Sequence, residues 1–146
     1  MQRIEREEHL WMDRFTIRNL ELFGGEGSNT LLKVLDNTVS PMGARLLKRW
    51  MVLPLNNISK INERLQAVEF FIKETDTRNK ITHHIKQAGD VERLVSKVPL
   101  KKINPREVLQ IAKGLQQTAF IKEICETTSN EYLKRLGDSL NPCKYI

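Results

Sequence analysis

The chain has 146 residues, one domain's worth and enough to bury a core of its own. Aromatic residues are only 6%, and 7 Gly and 5 Pro sit at segment ends among frequent Leu and Ile, which favours an α-rich protein over a β-sandwich. No apolar run approaches the ~18–20 residues of a bilayer span and no basic-then-apolar leader opens the chain, so a soluble, unsecreted protein is expected; a net charge of +6 is compatible with an anionic partner, although Lys and Arg are interspersed with Glu and Asp.

Gln2 to Trp11 is charged and helix-favouring, with Ile4 and Trp11 on one face, and reads as the end of a helix. From Phe15 to Phe23 the apolar residues alternate, first Phe15 and Ile17, then Leu20 and Leu22 in the opposite phase, which predicts a short strand broken at Arg18-Asn19. Gly24 to Gly27 is a loop without the Lys-Ser/Thr of a phosphate cradle. Ser28 is placed to N-cap a brief helix through Leu31, Leu32, Val34 and Leu35, and Asp36-Asn37-Thr38 favours a turn. Ser40-Pro41 then opens a second helix, with Leu46, Leu47, Trp50 and Met51 on one side and Arg45, Lys48 and Arg49 on the other, ending before Pro54. In the third helix Ile58, Ile61, Leu65, Val68 and Ile72 recur at spacings of three and four, an unbroken seam for packing against another helix.

Beyond it, Asp76 is expected to cap a segment from Thr77 to Gln87 that ends at Gly89, and Asp90 to cap a two-turn helix through Val91, Leu94, Val95 and Val98, closed by Pro99. Asn104-Pro105-Arg106-Glu107 combines a cap, a first-turn proline and a capping-box glutamate, and starts a helix that runs through Val108, Ala112, Leu115 and Phe120 toward Ile124. Thr128 to Glu131 repeats the capping-box pattern before Leu133, Leu136 and Leu140, and Asn141-Pro142 stops the last helix. No fixed-period repeat appears.

Chemistry-bearing constellations are sparse. His83 and His84 are adjacent, so on a helix they point about 100° apart and cannot meet one metal as an i, i+4 pair does. Cys125 and Cys143 lack CxxC spacing and are expected to be reduced thiols. Glu63, Glu69 and the glutamates near the N-terminus read as solvated or paired, and no nucleophile or paired-carboxylate arrangement suggests an active site. The basic cluster Arg45, Lys48 and Arg49 has two readings, a solvated helix side with snorkelling stems or a contact to phosphates or to another domain.

Leu35-Asp36-Asn37-Thr38, Pro41-Met42-Gly43-Ala44-Arg45-Leu46-Leu47, Trp50, Pro54-Leu55 and Ile61-Asn62-Glu63-Arg64-Leu65-Gln66-Ala67-Val68-Glu69, in that order, resemble the core or lever domain of MutS-type DNA mismatch repair proteins. Upstream, Met12-Asp13, Thr16 and Arg18-Asn19-Leu20-Glu21-Leu22 resemble the family's entry into that domain; downstream, Gly89-Asp90-Val91-Glu92-Arg93-Leu94 and Pro105-Arg106-Glu107-Val108 resemble its middle helices. The resemblance implies a mainly all-α, bundle-like core with one short β element near the N-terminus, residues 1–146 being a single domain and 1–14 the tail of a preceding connector helix. It implies structural or inter-domain duties for Asp36, Thr38, Met42, Gly43, Arg45, Pro54, Arg64, Asp90 and Arg93, and no catalytic, cofactor or metal residue.

In such proteins the domain links the DNA clamp to an ATPase domain, and the core is completed by helices that return after the clamp. ATP and magnesium would belong to that ATPase domain, since no Walker A sequence is present here. The implied partners are the other domains of the same protein, mismatched duplex DNA through them, and a second copy in a homodimer, in the bacterial cytoplasm with a role at the nucleoid and no membrane. A second reading stays open, a free-standing basic helical module that binds nucleic acid through phosphates.

Overall fold

A computed structural model describes residues 8–24 and 29–143. Among them the chain forms eight helices, α1 (Arg14–Asn19), α2 (Leu31–Leu35), α3 (Pro41–Val52), α4 (Ile58–Lys73), α5 (Thr75–Ala88), α6 (Val91–Val95), α7 (Pro105–Thr127) and α8 (Glu131–Ser139). The all-α class expected from composition is the class observed.

The expected strand at Phe15–Phe23 is absent, and α1 occupies most of it. Asp13 is the cause: its Oδ1 accepts from the Thr16 N–H at 2.7 Å and nucleates a turn. The end of α1 explains the misleading alternation. Glu21 takes the left-handed region, φ 48°, while the Leu22 N–H donates to Ile17 O at 3.3 Å and the Glu21 N–H to Arg18 O at 3.0 Å. That is a Schellman closure with glutamate where glycine is usual. The described residues hold no strand, only an isolated antiparallel bridge between His9 and Leu55. Of the expected entry helix, residues 1–7 lie outside the described residues, and Glu8–Leu10 lie against Pro54–Asn56 through Leu10 N–H to Pro54 O and Asn56 N–H to Glu8 O.

Most expected helix starts are found, with three changes of cap. Ser28 lies outside the described residues, and α2 is capped by Thr30, whose hydroxyl oxygen accepts from the Lys33 N–H at 3.3 Å. Asp76 falls inside the first turn of α5, where a carboxylate suits the helix dipole, because Glu74 both ends α4 and opens α5. Thr128 does not open α8. Its hydroxyl donates back to Cys125 O at 2.9 Å and closes α7, so Asn130 caps α8 by accepting from the Leu133 N–H. The capping box at Asn104 and Glu107 forms in both directions.

The core lies in the second half. Ala67, Ile81, Leu94, Cys125 and Leu133 are buried there, one from each of α4, α5, α6, α7 and α8, and Leu22, in the turn after α1, is the one buried apolar residue outside these helices among the described residues. Helix α7, roughly 35 Å long at ~1.5 Å per residue, is the axis against which α5, α6 and α8 pack. Two glycines permit the close approach. A Cβ on Gly114 would lie 2.4 Å from Val91 Cγ2 and 2.7 Å from Ala88 O, and one on Gly137 would lie 2.7 Å from Cys125 Cβ.

Helix α4 leaves most of the expected seam in water, with Ile61 half-buried. Ala67 is buried and Glu63 pairs with Arg135 of α8 at 2.9 Å, which places the inner face at positions 63 and 67. Ile58, Leu65, Val68 and Ile72 are consequently 74%, 59%, 56% and 67% exposed.

Candidate functional site

The motif residues gather where α3 meets α6. At the entry to α3, Asp36 Oδ1 accepts from the Thr38 N–H at 3.1 Å and from its hydroxyl at 2.6 Å. These bonds, with the charge of Lys48 nearby, hold the Asp36 carboxyl below its ordinary pKa. Ser40 Oγ accepts from the Gly43 N–H at 3.1 Å, and Pro41 takes the first turn. A Cβ on Gly43 would come within 3.2 Å of Ser40 Oγ and 3.5 Å of Thr38 Cβ. Asp36, Thr38 and Gly43 therefore build one local start signal.

Arg45 follows and reaches across to α6. Its guanidinium donates to both Asp90 oxygens, at 3.1 and 2.7 Å, and through Nε and Nη2 to Glu92 Oε2 at 2.9 and 2.6 Å. Asp90 is shared: its Oδ1 also accepts from the Arg93 N–H at 3.2 Å and caps α6, and the Arg93 side chain lies 3.9 Å away. Arg45, first among its neighbours, depresses the Asp90 pKa, and the two carboxylates raise that of Arg45. A planar five-donor fork suits this double acceptor better than an ammonium would.

The remaining predicted residues lie apart from this cluster. The Arg64 guanidinium sits 3.9 Å above the Trp50 ring centroid and ties α4 to α3 by a cation–π contact. Pro54 offers its carbonyl to Leu10, and Met42 is half-buried on α3. Lys48 and Arg49 are exposed. Sequence reasoning missed Glu92 as the second arm of the fork, although Asp90-x-Glu92 at a helix start was a visible acidic pair. It also missed Gly114 and Gly137, which carry no local signal inside a helical pattern.

Other chemistry is structural. His84 Nδ1 is 2.8 Å from Gln117 Oε1 and its ring stacks on Phe120, linking α5 to α7. Cys125 and Cys143 are free thiols, and burial, with Glu126, pushes the Cys125 thiol upward. An open, mostly apolar groove of about 570 Å³ runs along α7 past Val108, Leu115 and Pro142. Among the described residues no three His, Cys, Asp or Glu side chains are grouped to hold a metal ion, and no helix is long and apolar enough to cross a membrane.

The carboxylates make acid the sensitive side. Asp90 through Arg45, and Glu107 through Lys97 and the Asn104 N–H, titrate below their ordinary values in the fold, whereas unfolded they return to about 3.9 and 4.3. The unfolded chain thus binds protons first, so their contribution is complete above those values and is lost as pH falls through the lower folded ones. Asp90→Asn, which keeps a cap oxygen, is expected to show a shallower loss of urea midpoint between about pH 5 and pH 2.5 than the parent. Parallel curves for the two proteins would contradict this.

The fold and the cluster together define an all-α bundle domain whose motif residues fasten helices to one another. A family model described as MutS domain III matches residues 15–143, and the chain belongs to that family. It is 46% identical over 98% of its length to the DNA mismatch repair protein MutS of Bacteroides fragilis (strain YCH46). It is 48% identical over its full length to that of Christiangramia forsetii, and 40% to that of Cytophaga hutchinsonii. The chain spans 17% of the length of each of these relatives.

Proposed function

We propose that the chain serves as a non-catalytic linking segment of a MutS-type mismatch repair protein, placed between the part that grips DNA and the part that hydrolyses ATP, and carrying conformational change between them. The observation that supports this most is α4, a helix of 16 residues whose inner face enters the bundle while four large apolar side chains of its expected seam stay in water. Such a stripe suits further protein. On this reading ATP and magnesium are held elsewhere in the protein, which acts as a homodimer on mismatched duplex DNA in the bacterial cytoplasm. Asp36, Thr38, Gly43, Arg45, Asp90 and Arg93 keep the segment's helices in register, with Pro54 and Arg64 bracing the junction of α3 and α4.

The exposed Lys48 and Arg49 favour a second reading, direct contact with DNA phosphates. Fluorescence anisotropy of the chain with matched and G·T-mismatched duplexes separates the two. The linking role predicts binding that is weak at physiological salt and equal for both duplexes. Tight binding that falls linearly in log salt would favour the phosphate-binding module, and a clear preference for the mismatch would overturn both.

A further inference from the structure

We propose that α3 is a detachable arm, latched to the bundle by the grip of Asp90 and Glu92 on Arg45, and that opening this latch releases α3 while α4–α8 stays folded. The latch is a property of this chain and does not depend on the linking role.

Three observations carry it. First, α3 contributes nothing to the core: among the described residues the buried apolar side chains come from α4–α8 and from Leu22 after α1, no residue of α3 is buried, and α3 packs extensively against no other helix. Leu46 and Trp50, on its apolar side, remain partly in water. Second, the side-chain hydrogen bonds and ring contacts that join α3 to the bundle among the described residues each involve an arginine. They are the Arg45 fork on α6 and the Arg64 stack on Trp50. The chain reaches α4 through the short segment Leu53–Asn57, which begins as Leu53 leaves helical geometry at φ −127°, ψ 67°. Third, the two ends of the latch are anchored unequally. Asp90 caps α6, whose Leu94 is buried and which packs on α7, whereas Arg45 stands on a helix with no such anchorage. The side chains of Arg45 and Glu92 are 43% and 66% exposed, against 16% for Asp90, so water and salt reach the latch directly. Local openings of this kind use free energies well below that of global unfolding.

Hydrogen–deuterium exchange read by peptide mass spectrometry on the whole chain tests the latch. In Arg45→Gln, and in Asp90→Asn, which keeps an oxygen to cap α6, amides of α3 should exchange about tenfold faster while those of α5, α7 and α8 keep their rates. Raising sodium chloride toward about 1 M should accelerate α3 selectively in the unaltered chain, a readout that needs no substitution. Unchanged α3 exchange in both variants would show that the ion pairs hold nothing. Acceleration of all helices together, or collapse of Arg45→Gln on circular dichroism, would show that α3 belongs to one cooperative unit. Either result overturns the proposal.

Discussion

Gly114→Ala is expected to destabilise the chain by ~1–3 kcal/mol, although in an open helix the same change would stabilise by about 1 kcal/mol. The sign is decided by space. The new methyl carbon would sit 2.4 Å from Val91 Cγ2 and 2.7 Å from Ala88 O. Val91 could rotate away; the carbonyl could not. Ala88 is the last residue of α5, and Gly89 follows it at φ 67°, a left-handed position that fixes where that backbone ends. Relief would push α7 away from α5 and α6 along the most extensive helix contact among the described residues, loosening the surroundings of Ile81 and Leu94. Against a domain stability of ~5–15 kcal/mol this is a large fraction, and it corresponds to a fall in Tm of roughly 3–10 °C. Urea denaturation of the two proteins checks it. A higher midpoint for the alanine variant would mean that α5 and α7 stand further apart than described.

Local chemistry was legible in the sequence and distant chemistry was not. Ser40, Asp90 and Asn104 each bond an N–H three residues ahead, so a short window contains the whole signal. Where a window misled, a neighbour competed for the same role. Asn130 displaced Thr128 as the cap of α8 because the threonine hydroxyl was taken by the end of α7. Glu21 accepted a left-handed position that composition would assign to glycine, and a helix formed where alternation suggested a strand. The seam of α4 was legible as an apolar face, and the resemblance implied that helices returning after the clamp complete its cover, but periodicity alone does not say what faces it, and only the fold puts Glu63 and Ala67 on the inner side. The site shows the same divide. The resemblance grouped Arg45 with Asp90 and Arg93, yet only the fold shows that Arg45 spans 45 positions to reach Asp90 and takes Glu92 with it.

The exposed face of α4 should govern how the chain behaves in solution. Ile58, Leu65, Val68 and Ile72 form a stripe over four turns, and apolar area left in water costs ~25 cal/mol per Å² relative to burial. A few hundred Å² then amounts to several kcal/mol, comparable with the whole stability of a domain. Two identical stripes can cover each other, so the chain is expected to self-associate as concentration rises, or to remain monomeric with a low melting temperature and to bind a hydrophobic dye. Sedimentation velocity across concentrations, dye fluorescence and thermal melting separate these outcomes. Leu65→Glu and Val68→Glu together sharpen the test, because both positions lie outside the core. The double variant should lose dye binding and association without melting lower, since a surface charge on a helix costs little. A parent chain that stays monomeric at every concentration, binds no dye and melts at high temperature would show that this stripe needs no cover. The support that α4 lends to a linking role would then be gone.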